Sequence, residues 1–207
     1  MDKKLYELIV EMEEEEALEL AKEYLEGGGD AQALLDVCRD AMDEVGNRFE
    51  KGEYFLSELL LGGEIFQSIM AIALPYLSEG DHQKIGKMVL GTVREDIHDI
   101  GKDIFKAFVE AAGFEVVDIG VDVPEEKFVE AVKEHQPDLV GMSCLITAGM
   151  VTMKSTIDAI REAGIETPII IGGGRVDDDV QEYVGANAWA DDAATGVRLS
   201  KELVGAN

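Results

Sequence analysis

The hydrophobic rhythm of the chain changes near residue 85. Before that point apolar residues recur at helical spacing and β-branched runs are scarce. Leu5, Leu8, Ile9 and Met12 make one stripe, and Ala17, Leu18, Ala21 and Leu25 continue it, which predicts one amphipathic helix. Gly27-Gly28-Gly29 stops that helix, and Asp30 offers the N-cap of the next. A second helix follows through Leu34, Leu35, Val37, Cys38, Met42 and Val45. A turn around Lys51-Gly52-Glu53 leads to a third and a fourth helix, from Leu56 through Ile72 to Tyr76. Residues 1–80 read as a small helical bundle, with Ser78 to Lys84 as the linker.

Beyond residue 85 short β-rich runs alternate with amphipathic segments. The runs are Lys87–Val93, Glu115–Gly120, Asp138–Cys144, Pro168–Gly172 and Asn187–Ala190. Helices are expected near 100–112, 125–135, 150–163, 177–184 and 193–204. Strand and helix alternating through such short connections predict a parallel sheet covered on both faces. The expected fold is therefore α/β: a four-helix bundle over 1–84, linker included, then a flavodoxin-like or Rossmann-like five-stranded sheet over 85–207. Sheets of this kind bind ligands in the loops at the carboxyl ends of their strands.

Composition narrows the function. Apolar residues at 46% and charged residues at 30% describe a soluble globular chain. No apolar stretch is expected to reach the roughly 18 to 20 residues that span a bilayer. The N-terminus lacks the plan of a signal peptide, so a cytoplasmic protein is expected. A net charge of −26 would repel phosphate backbones and disfavours nucleic acid. Cys38 and Cys144 lie far apart with no CxxC pair, against both a disulfide scaffold and a zinc site.

Three of the strand-following loops carry candidate chemistry. The first reads Arg94-Glu95-Asp96-Ile97-His98-Asp99-Ile100-Gly101 and places a lone histidine at the ligand edge. Asp96 lies two residues before His98, so its carboxylate could fix one imidazole nitrogen and leave the other for a metal. Gly101 would allow close backbone approach at the entry to the following helix. The second loop, Ser143-Cys144-Leu145-Ile146-Thr147-Ala148-Gly149, is rich in small and hydroxyl side chains. The third, Gly172-Gly173-Gly174-Arg175, would let backbone lie flat against a large ligand. Each loop alone also suits an ordinary helix cap or tight turn.

Together they are more specific. Asp96-x-His98-x-x-Gly101, then Ser143-x-Leu145 45 residues after the histidine, then Gly172-Gly173 29 residues after the serine, resembles the cobalamin-binding domain of corrinoid methyltransferases. A helical domain directly before the sheet is similar to the cap of methionine synthase and of the small methanogen or acetogen corrinoid proteins. The stretch Gly52-Glu53-Tyr54-Phe55-Leu56-Ser57-Glu58-Leu59 resembles that family's cap segment, in which an aromatic residue covers the upper face of cobalt. Phe55 is the candidate for it, with plain core packing as the other reading.

The resemblance implies that the cofactor's dimethylbenzimidazole leaves cobalt and that His98 takes the vacated lower position. It implies that Asp96 tunes His98, with no catalytic residue beyond the cofactor. Asp99, Ile100 and Gly101 would contact the corrinoid beside them. Ser143, Leu145 and Thr147 would line the slot for the nucleotide tail, with Gly172 and Gly173 leaving it room. Several relatives extend the Asp–His relay with a hydroxyl residue two positions after Thr147, where this chain has Gly149.

The function implied is a methyl carrier. It would accept a methyl group on cob(I)alamin from a substrate-specific methyltransferase and present methyl-cob(III)alamin to a second one. The acceptor would be coenzyme M or tetrahydrofolate, and a reductive activation protein would be a further partner. The alternative is a cobalamin-dependent sensor or regulatory module without methyl transfer.

Overall fold

The computed structural model describes residues 1–76, 84–174 and 176–206. The expected linker lies outside the described residues except for Lys84, and so does Arg175 of the glycine loop. The chain forms two compact units, a helical one and one built on the sheet.

The helical unit holds α1 (Asp2–Val10), α2 (Glu14–Glu26), α3 (Ala31–Glu50) and α4 (Leu56–Ala73), the last followed by a 3-10 turn over Leu74–Tyr76. The first apolar stripe is therefore two helices, not one. Glu13 N–H donates to Leu8 O at 2.8 Å and Met12 N–H to Ile9 O at 3.1 Å, closing α1 in a Schellman arrangement. Met12, with φ 63°, takes the left-handed position where glycine is usual. Glu14, Glu15 and Glu16 then occupy the first turn of α2, where the helix dipole favours negative charge. The acidic run is a helix start, and no glycine announced it.

The next break follows the expected chemistry. Gly28 sits at φ 83°, Gly29 N–H donates to Tyr24 O at 2.9 Å, and Asp30 Oδ1 accepts from the N–H groups of Gln32 and Ala33. Leu34, Leu35, Cys38, Met42 and Val45 of α3 are buried, as are Leu59, Ile65, Phe66 and Ile69 of α4. The third and fourth helices expected after Leu56 are one continuous α4 with its terminal turn, since nothing between Leu56 and Ala73 interrupts the backbone ladder.

Leu56–Tyr76 corrects a second expectation. With 21 residues and a mean hydropathy of 1.4, it is long and apolar enough to cross a bilayer. A helix buried in a bundle core passes the same test. Here α4 carries Glu58 and Glu64 and packs on α2 and α3 through its buried face.

The second unit contains β1 (Gly86–Thr92), α5 (Ile100–Ala111), β2 (Phe114–Asp118), α6 (Glu125–His135), β3 (Leu139–Ser143), α7 (Thr147–Glu162), β4 (Ile169–Gly172), α8 (Asp178–Val184), β5 (Ala188–Ala190) and α9 (Ala193–Leu203). All strand pairs are parallel, in the order β2-β1-β3-β4-β5. The central strands are apolar through their middles, as sheets covered on both faces require: Met88, Val89 and Leu90 in β1, Leu139 and Val140 in β3, and Ile169 to Ile171 in β4 are all buried. The strand order reverses between β1 and β3, which opens a crevice at their carboxyl ends. Register makes those ends level. Thr92 pairs with Ser143 and Ser143 with Gly172, so the three candidate loops leave the sheet side by side.

Candidate functional site

The first loop begins where β1 ends and is organised around one carboxylate. Asp96 is only 1% exposed. Its Oδ1 accepts from His98 N–H at 3.0 Å and lies 2.6 Å from His98 Nδ1. Its Oδ2 accepts from the N–H groups of Leu145 at 2.6 Å and Ile146 at 3.2 Å. The two-residue spacing has a local reason: an aspartate that bonds the backbone N–H two positions on closes an Asx turn. That turn brings the imidazole back over the same oxygen.

Burial alone would raise the Asp96 pKa. The bonds from His98 N–H, Leu145 N–H, the His98 ring and Ile146 N–H overcome it and hold the carboxyl down at about 2. The group is an anion across the whole physiological range. An anionic acceptor on Nδ1 selects the tautomer that carries its proton there, which leaves the lone pair on Nε2. Nε2 makes no hydrogen bond among the described residues, and the His98 side chain is half exposed. The Nε2 edge of an anchored, half-exposed ring is thus left without a protein partner among the described residues.

The same residues hold the backbone. Thr92 Oγ1 donates to His98 O at 3.3 Å, and Asp99 O accepts Asp103 N–H at 2.8 Å in the first turn of α5. Lys102 is nearly buried, its ammonium 2.6 Å from both Asp103 Oδ1 and Asp118 Oδ2, so α5 is tied to the end of β2. Ile97, Asp99, Ile100 and Gly101 are exposed around His98, Ile97 by 71% and Ile100 by 58%. A Cβ on Gly101 would meet nothing within 4 Å. Its use is not tight packing of the helix on protein; it leaves open surface beside the histidine. Exposed isoleucines around an available imidazole make an apolar platform, suited to a broad flat ligand rather than to a bare ion.

The second loop was expected to act through side chains. Its most direct contacts are main-chain ones, the Leu145 and Ile146 N–H groups on Asp96. The Leu145 side chain is 41% exposed, Ser143 is half-buried at the end of β3, and Thr147 is exposed as the first residue of α7. The third loop is brought against the second. Gly172 O accepts Cys144 N–H at 3.0 Å. Gly173 has φ 130°, and a Cβ there would run into the Cys144 carbonyl. Packing within the protein therefore already demands glycine at 173, independently of any ligand.

Cys144 is the group that sequence reasoning passed over. Its buried Sγ donates to Ile146 O at 3.0 Å. Burial first, then the hydrogen bond and charge of Asp96, push the thiol up to about 12, so it stays protonated. A side chain at position 149 would overlap this sulfur. The sulfur fills the space that a side chain at 149 would need, which gives the glycine a physical reason. Gly149→Ser is expected to destabilise the protein by about 1–3 kcal/mol through overpacking. Cys144→Ala in the same chain should recover most of that loss. A double-mutant cycle on urea unfolding measures the coupling, and strictly additive effects would show that the two positions do not share the space.

Phe55 belongs to the helical unit. It is the N-cap of α4 and 70% exposed, which excludes core packing. Its N–H donates to Glu58 Oε2 at 2.8 Å, the reciprocal half of a capping box, and this bond lowers the Glu58 pKa. Leu56 beside it is 52% exposed. Among the described residues no group of three or more His, Cys, Asp or Glu side chains could enclose a metal ion.

Comparison with known proteins identifies the family and its cofactor. Residues 86–198 match the family described as B12 binding domain, and residues 1–74 match a second family of the same description. The trimethylamine corrinoid protein 1 of Methanosarcina acetivorans is 36% identical over 195 residues, covering 92% of this chain and 90% of that protein. A cobalamin-binding protein from Desulfitobacterium hafniense superposes with a TM-score of 0.81 at 35% identity, over 98% of both chains. The methanol:cobalamin methyltransferase complex MtaBC from Methanosarcina barkeri gives a TM-score of 0.84 at 27% identity, over 98% of this chain and 79% of that one. With more than half of its length inside the first match and relatives of this identity along nearly all of it, the chain belongs to the B12-binding corrinoid protein family, and cobalamin is its cofactor.

Proposed function

We propose that this chain is the methyl carrier of a methyltransferase system, holding its corrinoid by His98 Nε2. The observation that carries the reading is the buried Asp96 carboxylate on His98 Nδ1 at the carboxyl edge of β1, with Nε2 free. When bound, the corrinoid supplies a cobalt centre that accepts and gives up a methyl group. The protein's part is to hold the imidazole, select its tautomer and present the exposed face. Asp96, fixed as an anion, stabilises a proton on Nδ1 whether or not Nε2 is ligated, so ligation costs no tautomer change.

Ile97, Asp99, Ile100 and Gly101 would lie beside the corrinoid. Ser143, Leu145, Thr147 and Gly172 would border the slot for its tail. Gly173 keeps the neighbouring turn in place, and Phe55 would shield the upper face. The relatives bear the names of trimethylamine and methanol systems, so the methyl donor is assigned by the partner methyltransferase rather than by this chain. A second methyltransferase to coenzyme M or tetrahydrofolate, and a reductive activation protein, complete the proposed set. The net charge of −26 suits brief docking to basic faces of successive partners, steered over distance and weakened by salt. This is the chemistry of a cytoplasmic protein.

The test begins with apoprotein reconstituted with hydroxocobalamin. After reduction, a methyl donor and its methyltransferase should leave the methyl group on the corrinoid that co-elutes with this chain. The group should pass to coenzyme M or tetrahydrofolate only when a second methyltransferase is added. Corrinoid that elutes apart from the protein, or a loaded protein that no donor system methylates, would sink the proposal.

A further inference from the structure

We propose that Asp122 is a positioning residue for His98, clasping the β1–α5 loop from the loop after β2; this rests on His98 being the cobalt ligand. Beyond the bond from Thr92 N–H to Gly120 O at 2.9 Å, three successive bonds join the two segments. Asp122 Oδ1 accepts Glu95 N–H at 2.7 Å. Asp122 N–H donates to Asp96 O at 2.9 Å. Val123 N–H donates to Thr92 O at 3.0 Å, where Val93 and Val123 form an isolated bridge. Asp122 therefore grips the residue before Asp96 with its side chain and Asp96 itself with its backbone.

The conformation of both partners explains why such a clasp is needed. Glu95 has φ 71° and Asp122 has φ 52°, so two non-glycine residues lie in the left-handed region. Nothing intrinsic to glutamate holds it there. Aspartate tolerates that backbone better than most residues, and its short carboxylate reaches a nearby N–H. On its other side the loop is held by Thr152 Oγ1, which donates to Arg94 O at 2.9 Å. Arg94 is in turn paired with Glu125 at 3.0 Å. Asp96 is thus fixed through its carboxylate by the second loop and through its backbone by Asp122. Loss of the Asp122 side chain frees Glu95 to leave the left-handed region, and the Asp96 carboxylate then no longer presents the imidazole at one angle.

The test uses the full chain loaded with cobalamin and reduced to the Co(II) form, read by electron paramagnetic resonance. With 15N-labelled protein and unlabelled cobalamin, 15N superhyperfine doublets in the wild type report the imidazole on cobalt; 14N triplets or no splitting would refute the ligand reading itself, separately from this inference. Asp122→Gly accommodates the left-handed backbone and removes the acceptor. It is expected to lower the ratio of ligated to unligated histidine about tenfold, the low end for losing an outer partner of a metal-bound imidazole. Asp122→Asn retains an acceptor oxygen and should keep the wild-type ratio. A wild-type ratio in Asp122→Gly, or equal losses in both variants, would overturn the proposal. Amide exchange in the wild-type chain gives a reading that needs no variant. The Glu95 N–H should be protected, and if Asp122→Gly does not fold, free exchange of that amide overturns the clasp while protection sustains it.

Discussion

Replacing His98 with alanine is expected to lower cobalamin affinity by at least the roughly 10–100-fold that even an outer partner of a metal ligand is worth. The same change should hardly touch the fold. The His98 side chain is half exposed, and its loss leaves Asp96 still bonded to three main-chain N–H groups, at 98, 145 and 146. Exposed substitutions stay within about 0.5 kcal/mol, and the lost ring bond to Asp96 brings this change to about 1 kcal/mol. The apoprotein should therefore melt close to the wild type while the loaded protein loses its imidazole spectrum. Cofactor retention measured beside apoprotein unfolding separates the two effects. An unchanged spectrum and affinity in His98→Ala would mean that the imidazole does not reach cobalt.

That contrast follows from where the site's information lies in the chain. The strands of the second unit were legible because buried parallel strands are apolar runs, and their loops could be placed at one edge by topology alone. Asp30 as a cap was legible from its glycine-rich approach, and its two short bonds have the expected form. The break at Met12 was not, because a left-handed residue that is not glycine leaves no mark in composition. The same holds for Glu95 and Asp122, whose clasp depends on the approach of two loops 27 residues apart. Within the site, Asp96 and His98 were readable as a side-chain pair. The N–H groups of Leu145 and Ile146 were not, because main-chain donors are identical in every sequence. From sequence Cys144 counted only against a disulfide or zinc site, because the overlap of its sulfur with a side chain at 149 depends on the packing of the loop.

Asp96 is where fold and ligation meet, so its variants should separate in kind. Asp96→Ala strips the acceptor from three main-chain N–H groups and the His98 ring together. Hydrogen bonds to a buried charge are worth more than neutral ones, and a loss of about 2–4 kcal/mol is expected, with cobalamin affinity falling as well. Asp96→Asn keeps the shape but turns one oxygen into a donor. If its remaining oxygen serves Leu145 and Ile146, its NH2 faces His98 Nδ1, which must then accept. The ring proton moves to Nε2, and the lone pair that cobalt would use is gone. Asp96→Asn should therefore fold, less stably because the His98 N–H loses its acceptor, while its ligated fraction drops tenfold or more.

Acid provides a second reading. The Asp96 carboxyl is held at about 2 against an ordinary 3.8, a gap equivalent to about 2 kcal/mol. Because the folded value is the lower one, that stability is present above the unfolded value. It drains away as pH falls from about 4 toward 2. Urea unfolding of the apoprotein across this window should show the wild type losing about 2 kcal/mol more than Asp96→Asn. Parallel pH curves for the two would mean that the carboxylate is not stabilised by the bonds that aim His98.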